Sequence, residues 1–230
     1  MARSPLQRIV GALKKRYGTP APPLSSRDPL AWLYLEALAY LRPEQERLEA
    51  FRALRDRVGL APRSVRKAHL PLLTEICRIG GIVPELRAKR LREIAALALD
   101  EFDGQLAIVL SWDYAKARRA LQKFPMIGES GADRILMLCG FPGVLGFQSN
   151  EHRTLNRLGY GEELKNYSKS YRLTRDAAQA ELPKRNAALV EASLLLRVHG
   201  QETCKSSAPR CVECPVTAAC AWFAAHENRV

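Results

Sequence analysis

A chain of 230 residues has room for one domain or two modest ones, each with a real core. With 47% hydrophobic and 26% charged residues it is neither a disordered nor a low-complexity protein. Its formal charge of +12 suits a partner rich in phosphate, nucleic acid first, although an arginine-rich proteome raises the charge without any such partner.

Helical signals run the length of the chain. The first twenty residues carry Arg3, Arg8, Lys14, Lys15 and Arg16 and no acid, with no long apolar segment of the secretory kind. Asp28 followed by Pro29 is an N-cap with proline at the first helical position, which launches the apolar stretch Leu30 to Leu41. That stretch carries Glu36 and falls short of the ~20 apolar residues that a bilayer span needs. It predicts a buried core helix, ended at Pro43, in a cytoplasmic protein with no membrane partner. Phe51, Leu54 and Val58 mark one face of the next helix and Gly59 stops it. Leu91, Ile94 and Leu97 stripe a helix beginning near Pro84. The pattern predicts further helices from about Trp112 to Lys123 with Ser111 as cap and Asp113 in its first turn, from Glu129 to Leu138, after a cap at Thr174, and from Ala187 to His199 with a stop at Gly200. No alternating strand pattern is convincing. The fold class read from the chain is all-α.

Two stretches carry chemistry. FPMIGESGAD, Phe124 to Asp133, joins two helices through an apolar-Pro-x-apolar-Gly turn, the form of a helix-hairpin-helix. In that motif the backbone N–H groups at Ile127, Gly128, Glu129 and Ser130 face a DNA phosphate, aided by the dipole of the second helix. The same corner also occurs in helical proteins that bind nothing. The second stretch is CKSSAPRCVECPVTAAC, which places Cys204, Cys211, Cys214 and Cys220 in one loop. In a reducing compartment such crowding speaks for a metal centre. Only Cys211 and Cys214 have the C-x-x-C spacing of a zinc knuckle, and a [4Fe–4S] cluster suits four thiolates as well as zinc does. Cys77 and Cys139 read as small buried hydrophobes.

LLLRVHGQETC and the three cysteines after it resemble the C-terminal cluster loop of the endonuclease III family of DNA glycosylases. The hairpin at 124–132 falls where that family has its own, and Asn156 to Gly159 (NRLG) follows at a matching distance. The resemblance runs from about residue 28 to Cys220 and is strongest after Leu121. It implies two helical domains: a six-helix barrel over 28–140 with the hairpin at about 112–138, and an iron–sulfur domain built from 1–27 and 141–230. It also implies a [4Fe–4S] cluster on Cys204, Cys211, Cys214 and Cys220, and damaged double-stranded DNA bound in a cleft by a monomer, as in bacterial base-excision repair. Lys205 and Arg210 in the cluster loop would then meet phosphates.

The resemblance fails where the family does its chemistry. Members that cut the strand carry a lysine whose neutral amine forms a Schiff base with the sugar. Ser130 stands at that place. Gln148, eight residues before Asn156, stands where the family has an aspartate. Met126 replaces the first glycine of the hairpin. Asp133, Glu151 and His152 are the titratable residues nearby, either substitutes for the missing groups or ordinary capping and surface residues. Leu41 falls near the position of the family's gap-filling glutamine, as an apolar wedge between bases or as the last core residue of its helix. Three functions remain open: a glycosylase of weak or narrow activity without lyase, a DNA- or lesion-binding protein that cuts nothing, and an iron–sulfur electron carrier.

Overall fold

Proline opens most of the early helices. In the computed structural model, which describes residues 3–39 and 42–226, proline occupies the first or second position of α1 (Pro5–Tyr17), α2 (Pro29–Leu38), α4 (Pro62–Lys67), α5 (Leu70–Ile79) and α6 (Pro84–Phe102). Its fixed φ suits the first turn, where its missing N–H has no intrahelical partner to lose. The remaining helices are α3 (Glu44–Arg57), α7 (Tyr114–Leu121), α8 (Glu129–Leu138), α9 (Ser149–Arg157), α10 (Tyr167–Glu181), α11 (Asn186–Glu202) and α12 (Ala221–His226). Among the described residues there is no strand. The all-α expectation holds.

Three predicted boundaries move. Ser111 closes a short 3-10 turn, and Asp113 caps α7 instead, its carboxylate accepting from the Lys116 N–H at 2.9 Å. Thr174 lies buried inside α10, whose cap is Asn166, three residues before the Lys169 N–H that it accepts at 3.0 Å. A hydroxyl within a helix can bond back to the preceding turn, and Thr174 does so to the Ser170 carbonyl at 3.0 Å. Gly200 lies within α11 rather than ending it. A Cβ there would sit 2.7 Å from the Asn150 carbonyl of α9, so this glycine allows two helices to touch. Leu41 lies outside the described residues.

The chain divides into two compact units. Pro23–Gly128 forms one, with α2 to α7 around a core that includes Trp32, Leu35, Leu38, Leu54, Leu73, Ile76, Leu91 and Ile94. One charged side chain sits in that core. Arg87 is 2% exposed and gives its guanidinium to the backbone carbonyls of Leu38, Cys77 (2.5 Å), Gly81 (2.6 Å) and Ile82 (2.8 Å). It ties the end of α2 and the end of α5 to the turn that starts α6.

The segments on either side, up to Pro22 and from Glu129 onward, form the other unit. Leu6, Ile9 and Leu13 of α1 pack with Phe147, Leu155, Tyr171, Leu189, Leu195 and Leu196. Glu181, at the end of α10, accepts from the Leu6 N–H at 2.7 Å and from the Tyr160 hydroxyl at 2.9 Å, which fastens the start of α1. The sequence reading groups α8 with the preceding hairpin. In the structure its neighbours include α10 and α11, and it counts with this second unit. No helix of the described residues is long and apolar enough to cross a membrane.

Candidate functional site

The hairpin turn is built against local preference. Met126 has φ 68° and so keeps a left-handed conformation that a side chain makes costly. Its side chain is exposed, and its sulfur lies 2.8 Å from an Arg90 guanidinium nitrogen. The Ile127 N–H is spent on the Phe124 carbonyl at 3.2 Å, closing the turn. Gly128 is exposed with nothing within 4 Å of where a Cβ would be, so its backbone is open to a close approach. Glu129 opens α8 and pairs with Arg172 at 2.8 Å.

The second unit brings together four of the residues singled out from sequence. Ser130, half-buried in the first turn of α8, is hydrogen-bonded to the Tyr167 hydroxyl at the start of α10. Gln148 is the N-cap residue of α9 and makes no side-chain cap bond. Glu151 and His152 follow it on the same helix, 1% and 7% exposed. Tyr167 lies edge-on to the His152 ring at 5.2 Å; burial raises its hydroxyl pKa against the Ser130 hydrogen bond, and the field of Glu151 adds to the rise. Phe147 stacks on the other side of His152 at 6.1 Å and contacts Tyr171 at 4.8 Å, so the cluster has aromatic walls. Asp133 is engaged by neighbours, its Oδ2 accepting from Tyr171 and from Arg175, each at 2.9 Å. Gly146 makes room for this part of α8, since a Cβ there would fall 2.2 Å from the Arg134 nitrogen.

Electrostatics separate these groups. Burial pushes the Glu151 carboxyl up, against the opposing fields of Arg134 and Arg197 and of nearby backbone N–H groups. Neither of its oxygens has a hydrogen-bond partner. Burial likewise holds His152 below the ordinary histidine range, so the ring stays neutral. Its Nε2 faces the Ser170 hydroxyl at 3.2 Å and the Asn156 amide at 3.3 Å.

The cysteine loop lies at the other end of α9. Cys204, Cys211, Cys214 and Cys220 are free thiols that line one small recess, with His199 and Arg157 among its other walls. Burial raises the Cys211, Cys214 and Cys220 thiols, Cys214 to about 11, and the neighbouring thiols push the same way. Among the described residues, no three His, Cys, Asp or Glu side chains converge closely enough to hold a single metal ion. Two arginines of α9 fix the loop. Arg153 donates to the Cys204 carbonyl at 3.1 Å and the Gly200 carbonyl at 2.7 Å. Arg157 donates to the Lys205 carbonyl at 2.6 Å, lies 3.4 Å from the Cys204 sulfur and stacks over Trp222 at 5.0 Å. Lys205 is half-buried and Arg210 exposed in the same loop.

Known proteins match this architecture over its whole length. The solved structure of a trapped endonuclease III–DNA covalent intermediate superposes with a TM-score of 0.76 at 17% identity, covering 99% of both chains. The fold is that of endonuclease III. A thermostable thymine-DNA glycosylase gives a TM-score of 0.75 at 16% identity, covering 96% of this chain and 97% of that one. The 3-methyladenine DNA glycosylase of Helicobacter pylori, solved with 1,N6-ethenoadenine, gives 0.64 at 16% identity, covering 86% and 98%. In sequence, the endonuclease III of Sulfolobus acidocaldarius is 24% identical over 201 residues, 86% of this chain and 84% of that protein. No family model matches the chain. The endonuclease III likeness read from the hairpin and the cysteine loop thus holds in sequence and in fold, at the low identity of a divergent relative.

Tyr167, Arg134 and Arg197 are the members of the site that the sequence reading missed. Tyr167 and Tyr171 stand four residues apart in one polar helix, a spacing that puts two aromatic rings on one face and was available as a signal. Nothing local marks Arg134 or Arg197, because each lies in an apolar helical run where an arginine reads as an interruption.

Proposed function

We propose that this chain is a base-excision protein that binds damaged duplex DNA and lacks strand-cleaving lyase activity. The observation that carries the reading is Ser130. The motif around the hairpin puts it where the resemblance expects the amine, and its hydroxyl is engaged by Tyr167. A hydroxyl forms no iminium with an opened sugar, so β-elimination has no route through this residue. With Gln148 in place of the aspartate, the helix start offers an amide where a charge would stabilise a sugar cation, and base excision is weak or confined to few bases.

DNA affinity comes from the basic surface and from phosphate contacts. Gly128, Glu129 and Ser130 offer backbone N–H groups at the start of α8, and Lys205 and Arg210 offer charge in the cysteine loop. The four cysteines would hold a [4Fe–4S] cluster. They line one recess, and the spacing of the four thiols, which resembles the cluster loop of endonuclease III, supports a cluster of several irons. The cluster would serve as a structural cross-link that keeps Lys205 and Arg210 on one side of the loop.

The test is binding and trapping with the cluster-loaded protein. Affinity for duplex containing an abasic-site analogue should exceed that for undamaged duplex and fall steeply with salt. Changing Lys205 and Arg210 together to Glu should weaken binding to every sequence alike. Borohydride should trap no covalent complex. Efficient trapping by the unaltered protein, or equal affinity of the double variant, contradicts this reading.

A further inference from the structure

Three acids and bases of the sequence reading lie within the second unit, and two of them are committed to neighbours. Asp133 holds Tyr171 and Arg175, and His152 Nε2 faces Ser170 and Asn156. Glu151 differs, because it is 1% exposed and neither oxygen has a hydrogen-bond partner. A carboxylate in such a place has given up its water, and the backbone N–H groups of Gln148 and Glu151 approach it without good hydrogen-bond geometry, so burial favours the neutral acid. The groups facing it come from every side. Arg134 lies on α8, Arg197 on α11, the Tyr167 hydroxyl at the start of α10, and Arg153 with the backbone N–H groups of Gln148 and Glu151 at the start of α9 and along it. Arg134 and Arg197 temper the preference for the acid without bonding to its oxygens.

We propose that Glu151 is the proton donor for base release, acting on a damaged purine that carries a basic ring nitrogen. It stands three residues after Gln148, the N-cap of α9, on the same side of the helix start. Tyr167, 44% exposed, is hydrogen-bonded to Ser130 and lies edge-on to His152, the residue that follows Glu151. The step requires this corner to open so that an extruded nucleotide reaches the acid. The C1′–N bond then breaks with its electron pair passing to the base, and the Glu151 proton goes to the base nitrogen. The carboxylate so formed faces the sugar cation and supplies the negative charge that Gln148 lacks. Water adds to C1′ and returns a proton to Glu151. The products are a free base and an intact strand with an abasic site, and no oxidant, reductant or amine takes part. This inference rests on the proposed binding of damaged duplex DNA.

The experiment follows base release and binding in parallel, with the full-length, cluster-loaded protein and duplexes carrying hypoxanthine, 1,N6-ethenoadenine or uracil. Purine release should slow as pH rises from 5 to 8, because the acid form is the working form, and uracil should be released least. Glu151→Gln should lower release by at least ~10²-fold and abolish its pH dependence while leaving DNA affinity unchanged. Glu151→Asp keeps the acid on a shorter arm and should keep the pH profile at a reduced rate, which separates proton donation from a role in folding. Release that rises with pH, a Glu151→Gln variant as active as its parent, or a parent that binds damaged DNA and frees no base overturns the proposal. A parent that binds no duplex at all overturns the DNA-binding reading beneath it.

Discussion

Arg87 and Glu151 are both buried charged residues, and they are treated in opposite ways. Arg87 has four carbonyl partners drawn from three segments of its unit. Glu151 has none for either oxygen, with arginine fields near it but no bond. A buried polar group with its partners in place fixes the geometry around it, and one without them stores free energy that ligand binding or chemistry can draw on. The contrast sets a fully partnered buried charge in the first unit against a poorly partnered one in the second.

Breaking the Arg87 side should have the largest effect. Arg87→Met fills the space but strands four carbonyls, two of them buried, and should lower the stability of its unit by about 3–5 kcal/mol in urea unfolding. Breaking the Glu151 side should act with the opposite sign. Glu151→Met removes a desolvated acid in favour of an apolar group and should raise stability at neutral pH by ~1–3 kcal/mol. The pH dependence supplies the sign. Because the folded-state pKa of Glu151 lies above its ordinary value of 4.5, its favourable contribution is complete below that pH and is lost as pH rises toward the folded pKa. The advantage of Glu151→Met over the parent should therefore grow from pH 4.5 upward, and a difference that shrinks with rising pH would mean that the carboxylate is well solvated. The smallest effect belongs to Tyr167→Phe. It removes one half-exposed hydrogen bond, that to Ser130, worth about 0.5–1 kcal/mol, and urea unfolding should show a loss no larger than that.

Helix positions were legible in the sequence wherever a local signal fixed them. Asp28-Pro29 opens α2 as expected, the carboxylate accepting from the Leu30 N–H at 2.9 Å, and α8 runs over the predicted Glu129 to Leu138. Where the decision was tertiary, local signals misled. Gly200 carries a stop signal but serves contact with α9, and Thr174 carries a capping side chain but is buried mid-helix. Met126 shows the same limit, since nothing local in PMIG announces a left-handed methionine. The site was half visible. Spacing pointed to Ser130, Gln148 and the cysteine loop, whereas the isolation of Glu151 depends on α8, α10 and α11 converging on it. That convergence has no signature along the chain.

The fastening of α1 carries a consequence for synthesis. The Leu6 N–H bonds to Glu181, 175 residues later in the chain, and the apolar face of Leu6, Ile9 and Leu13 packs on helices that follow the whole of Pro23–Gly128. During translation at roughly 5–20 residues per second, that face waits some ~10–35 s for its partners. The intervening unit emerges complete in the meantime. The nascent first helix is thus an amphipathic segment without a home for most of the time the ribosome is at work, and a chaperone or the ribosome surface is its natural interim partner.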